Sequence, residues 1–227
     1  MTSEESISIR VTIITLITFA IYFTLDSLYF YDLRNWLDGF INQRGISHNL
    51  TYCISGIPIF IGVLILHNKS TFISSLGLNK SITKAFIFSL LCTLPMFIGF
   101  AIFLEVREKI SLNIILINIV AAAFFEELYY RSFLFGQVFR YTRLGFILSV
   151  LVGAFMFGFI HVSQGNAMEE WIGVFLITFL GGILFSWLYV EWNYNLWVPI
   201  FVHMLMNLSF VIFEAGENAL GGLYLSK

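Results

Sequence analysis

Apolar residues run in seven stretches along this chain, each separated from the next by a short polar segment. The stretches cover about 9–30, 52–67, 85–104, 113–138, 144–163, 171–192 and 195–214. A helix needs roughly 20 apolar residues to cross the hydrocarbon core of a bilayer, and its backbone groups must be hydrogen-bonded within the segment. The pattern therefore predicts an all-α, polytopic membrane helix bundle of about seven transmembrane helices. The second run is short and "NYN" leaves only a tight link between the sixth and seventh, so counts of six or eight also fit. The longest connection, 31–51, alternates Trp36, Phe40 and Ile41 with Asp and Arg and reads as holding an interfacial amphipathic helix. Residues 68–84 read as a polar loop with three lysines. With no repeat and no low-complexity tail, residues 1–227 read as a single transmembrane domain.

Composition supports the membrane reading. The chain is 59% hydrophobic and 11% charged, with a mean hydropathy of +0.87, whereas a soluble domain carries about 25% charged residues. The start "MTSEESISIR" lacks a basic n-region and a small-residue cleavage pattern, so the first apolar run reads as a membrane helix and not a removable signal. Cys53 and Cys92 lie in apolar runs without CxxC spacing and read as small buried hydrophobes. A net charge of −2 without a polybasic tract excludes nucleic acid as an expected partner. In the seven-helix reading the N-terminal side collects Arg10, Lys69, Lys80, Lys84, Arg131, Arg140 and Arg143. The other side collects Arg34, Arg44, Arg107, Lys109 and Lys227, so Lys and Arg counts favour a cytoplasmic N-terminus.

The charges left inside the membrane are the candidates for chemistry. "AAAFFEELYYRSFLFG" (121–136) places Glu126, Glu127 and Arg131 within the fourth run. Glu127 and Arg131 are i,i+4 partners in the favourable acid-before-base order. Glu126 lies about 100° around the helix from Glu127 and has no cation in its own helix, so it is the acid available to act as a base near neutral pH. In "FMFGFIH" Phe157 shares a face with His161 and can wall the imidazole. In "VHMLMN" His203 and Asn207 stack a turn apart, an arrangement suited to gripping an oxygen that develops negative charge. Each feature also has a plainer reading. The Glu–Glu–Arg set can be a juxtamembrane charge cluster, and each histidine and Asn207 can be interhelical polar glue. His48 and His67 fall in or beside loops, and Glu169 with Glu170 reads as solvated loop charge. Asp26, Glu191 and Glu214 sit near predicted helix ends and read as ordinary flanking charges. Gly153, Gly158, Gly173, Gly181 and Gly182 read as close-packing positions.

Taken in order, Glu126-Glu127-x-x-x-Arg131, Phe157-x-x-x-His161 and His203-x-x-x-Asn207 resemble the motifs of the CAAX-protease and bacteriocin-processing (CPBP, or ABI) family of intramembrane glutamic endopeptidases. The resemblance covers about residues 110–210, the motif-bearing core, and departs from the family at none of the motif positions. It implies helices around a polar cavity and proteolysis without a covalent acyl-enzyme. On that basis Glu126 would activate water and His161 would help hold it. His203 and Asn207 would stabilise the tetrahedral oxyanion, and Glu127 with Arg131 would be the supporting ion pair. No cofactor or metal is implied. The partners implied are the lipid bilayer and a membrane-embedded or lipidated peptide substrate, in a prokaryotic-type inner membrane.

Two readings of other classes stay open on the sequence. Glu126, His161 and His203 could form a two-His, one-carboxylate zinc set, although HExxH is absent. The chain could also be a non-catalytic membrane scaffold or immunity protein, but a scaffold has no need of an unpaired buried glutamate. A transporter fits less well, because no inverted repeat or pair of broken helices is visible.

Overall fold

A computed structural model of the chain describes residues 3–165 and 167–213. Eight helices build it: α1 (Ser3–Ile41), α2 (Arg44–Ser55), α3 (Ile57–Leu66), α4 (Ile82–Phe103), α5 (Leu112–Tyr141), α6 (Gly145–His161), α7 (Met168–Glu191) and α8 (Trp197–Ile212). α2 and α3 form one membrane span broken at Gly56, with Pro58 in the first turn of α3, where a missing N–H costs nothing. Among the described residues six spans are long and apolar enough to cross a bilayer; α8 is also apolar but has 16 residues. At about 1.5 Å per residue α8 reaches roughly 24 Å, short of the ~30 Å hydrocarbon core. The chain is a multi-pass integral membrane protein, and its outer surface carries the expected exposed Ile, Leu and Phe side chains.

Several expectations need correction. The 31–51 segment is not a loop with a separate amphipathic helix, because α1 continues unbroken to Ile41 and α2 begins at Arg44. Asp32, Arg34 and Asp38 are tolerated in this extension because a 39-residue helix is far longer than the hydrocarbon core. Ser47 Oγ donates to Asp38 Oδ1 at 3.1 Å, which ties the extension to α2, and Trp36 and Phe40 pair as an exposed aromatic patch. His48 lies inside α2, packed on Phe30 and Tyr52, and not in a loop. Residues 69–75 fold into short helical turns, and Lys84 belongs to the first turn of α4. Glu169 and Glu170 occupy the first turn of α7, where acids suit the positive end of the helix dipole. Cys53 and Cys92 are free thiols on the outside of the bundle, not buried: each apolar run is wide enough that one face points away from the protein. Glu214 and Lys227 lie outside the described residues.

The core is aromatic. Phe19 and Tyr22 of α1 pack edge-on against Tyr130 and Tyr129 of α5, and Tyr129 Oη donates to the Tyr52 carbonyl at 2.7 Å. Gly182 of α7 lies so near α6 that an added Cβ would sit 2.9 Å from Ala154 Cα, and Gly153 and Gly158 also face close neighbours. Gly173 and Gly181 face open space, so the close-packing role read for them does not hold.

Candidate active site

The centre of the site is α5, and α5 is not a regular α-helix. Ile115–Ala121 and Glu127–Phe135 are π-helical, and between them Ala122–Glu126 is α-helical. Wider π turns are rare and occur preferentially at functional sites. His161 Nε2 lies 3.8 Å from Glu126 Oε2, because Glu126 stands about as many residues before the end of α5 at Tyr141 as His161 stands after the start of α6 at Gly145.

His161, the last residue of α6, is fixed by its other nitrogen: Nδ1 donates to the Phe157 carbonyl at 2.6 Å. In that tautomer the neutral ring presents Nε2 as an acceptor toward Glu126. A gap of 3.8 Å is too long for a direct hydrogen bond but lets one water reach both groups from the side. Glu126 keeps 15% of its side chain accessible, against 0% for Glu127.

Glu127 is bound on both oxygens. Oε2 meets Arg131 Nε at 3.2 Å, the pair expected from the i,i+4 spacing, and Oε1 accepts from His203 Nδ1 at 2.8 Å. The second bond was not expected and gives Glu127 a further task, which is to orient His203. Arg131 is fully buried, and its guanidinium lies between two rings, 3.8 Å from the Phe157 centroid and 5.2 Å from that of Phe185. Phe157 therefore does more than wall the imidazole: it carries the guanidinium while its ring also meets His161 at 4.4 Å. Cation–π contacts of a desolvated guanidinium are worth about 2 kcal/mol or more, which suits an arginine whose Nη atoms have no hydrogen-bond partner among the described residues.

His203 stacks on Phe185 at 5.2 Å, and one turn later Asn207 Nδ2 donates to the Asn118 carbonyl at 2.8 Å. Asn118 lies in the first π segment, so Asn207 ties α8 to the distorted part of α5. One amide hydrogen of Asn207 and Nε2 of His203 stay available to a bound group.

Of the residues expected to act, Glu126 and His161 face each other, His203 joins the Glu127–Arg131 pair beside Phe157, and Asn207, one turn after His203, is bonded to α5 at Asn118. Sequence reasoning missed four others. Phe185 gives no polar signal in an apolar run. Asn118 is an intramembrane amide that could have been flagged as helix-bonding. Asp26 is not at a helix end: it lies deep within α1, accepts from Ser55 Oγ at 3.0 Å, and is within electrostatic reach of Glu126. Tyr52 stacks on Phe125 at 5.1 Å and stands within reach of both acids. Among the described residues no three His, Cys, Asp or Glu side chains converge as metal ligands.

The profile of the Rce1-like family, described as type II CAAX prenyl endopeptidase, matches residues 108–209. YdiL of Bacillus subtilis (strain 168), by name a candidate membrane peptidase, is 31% identical over 111 residues, 49% of this chain and 41% of its own length. The membrane-embedded CAAX protease MroQ of Staphylococcus aureus (strain USA300) is 31% identical over 113 residues, 48% of this chain and 42% of its own. The chain thus spans about two fifths of the length of these curated relatives. No solved structure matches at comparable significance. The matched segment holds every motif residue from Glu126 to Asn207, so residues 108–209 are similar to the Rce1-like family and to these two membrane peptidases over the part of the chain that carries the site.

Proposed function

We propose that this chain is an intramembrane endopeptidase that hydrolyses a peptide bond in a membrane-associated or lipid-anchored peptide, using water activated by Glu126. The observation that carries the reading is the facing pair Glu126 Oε2 and His161 Nε2, 3.8 Å apart at the edge of a buried, doubly bonded Glu127. Water between the pair gives one proton to Glu126 while its oxygen attacks the carbonyl carbon. The oxyanion meets His203 Nε2–H and the remaining amide hydrogen of Asn207. Glu126 then returns the proton to the amine nitrogen as the C–N bond breaks. Glu127 supports the step by holding the His203 ring and stabilising positive charge on it, as a carboxylate does for a catalytic imidazole. The names of YdiL and MroQ, a membrane peptidase and a CAAX protease, agree in reaction class, and bacterial relatives fit a prokaryotic inner membrane.

The test is cleavage of a lipidated peptide by full-length protein in liposomes. Activity that survives a chelator and falls at least 100-fold in Glu126→Gln supports the reading, since a positioned base contributes about 10²–10⁴ in rate. Loss with chelator and recovery with zinc would replace it by a metalloprotease.

A further inference from the structure

A second polar site lies at the C-terminal end of α5, about four helical turns beyond Glu126 along the chain. Here the α3–α4 connection, the end of α5 and the α7–α8 turn meet on one face of the membrane. They enclose a cavity of about 390 Å³ lined by His67, Asn79, Lys80, Arg140, Asn193 and Tyr194 among others, and no acidic side chain contributes to it. The volume falls in the range of small-molecule pockets, roughly 300–1,000 Å³.

The walls are fixed. Asn193 and Tyr194 are consecutive residues with left-handed backbone, φ 51° and 60°, which side-chain-bearing residues seldom adopt. They are held by Tyr194 N–H donating to the Tyr189 carbonyl at 2.8 Å and by Leu196 N–H donating to the Gly77 carbonyl at 3.2 Å. Gly77 itself has φ 75°, and a Cβ there would fall 2.1 Å from the Tyr194 oxygen, so only glycine lets the two turns close. Arg140 is braced by Nη1 donating to the Ser75 carbonyl at 2.6 Å and to Tyr189 Oη at 3.2 Å, with its guanidinium over the Tyr194 ring at 4.5 Å. His67 is held by Gln137 at 2.6 Å. Lys80 is exposed and makes no hydrogen bond or ion pair among the described residues.

A braced arginine, an uncommitted lysine and two Asn side chains around an acid-free cavity match a phosphate group, which takes a charged fork and several donors. The cavity opens at the ends of membrane helices, where lipid headgroups lie, and Tyr141 and Tyr194 are placed as interfacial tyrosines are. We propose that it is a binding site for a phosphate-bearing anion, supplied by the headgroup of an anionic membrane lipid.

The experiment is native mass spectrometry of the full chain in neutral detergent, offered phosphatidylglycerol or phosphatidylcholine of the same acyl chains. Wild type is expected to retain phosphatidylglycerol about tenfold over phosphatidylcholine. Lys80→Glu is expected to remove that preference without changing the lipid-free melting temperature, and Asn193→Gly, which keeps the turn and deletes the amide, to weaken it several-fold. Retention that resists millimolar inorganic phosphate supports the headgroup as the source. Displacement by inorganic phosphate supports the same site filled from solution. No preference in wild type, or a preference that both variants leave intact, overturns the proposal.

Discussion

The spans α4 and α5 are both long and apolar, yet they are built for opposite surroundings. In α4, 11% of the most apolar stretch is buried within the protein; in α5 the share is 44%. α4 is regular apart from Pro95, is capped by Ser81 at its start, and buries only the small side chains Ala85, Ser89 and Thr93. α5 is π-distorted and holds Glu127, Arg131, Ser132 and Gln137 fully buried. A lipid-facing helix needs only hydrophobicity and small packing residues. A helix that presents charges to partners must give each one a partner, and its geometry is bent to that end.

The sharpest break in this comparison comes from Glu126→Gln, which should lower turnover on a peptide substrate by 10²–10⁴ with little change in melting temperature, measured in parallel by cleavage and thermal unfolding. Asn207→Ala should cost about 10²–10³ in kcat, as for removal of one oxyanion donor. Arg131→Met leaves Glu127 buried without its cation and should destabilise the protein by about 3–5 kcal/mol in detergent, partly recovered in the Glu127→Gln/Arg131→Met double variant. Asp26→Asn should lower kcat/KM several-fold, because a charge interaction on the order of 1 kcal/mol with Glu126 is lost. On the lipid side, Cys92→Ala should change stability by no more than about 0.5 kcal/mol.

The sequence was legible where apolar run length and motif spacing decide the outcome. The apolar spans and the Glu127–Arg131 pair follow from those rules. It was misleading where a local rule has an exception. Charged residues at 32–38 look like a loop, but α1 carries them where it extends beyond the length of the hydrocarbon core. The π segments of α5 and its continuation to Tyr141 could not be read from the length of the apolar run. Phe185 and Asp26 reach the site through contacts between elements far apart in the chain, which no spacing within one helix can show.

The central claim is that Glu126 activates water for peptide hydrolysis inside the membrane. The most direct measurement compares, by mass spectrometry, the peptide termini in membranes from cells producing wild type or Glu126→Gln at matched levels. Termini found only with the wild type, clustered at membrane-associated segments, are the predicted result. Matching sets of termini, with a wild-type phenotype retained by the variant, would contradict it and point to a scaffold.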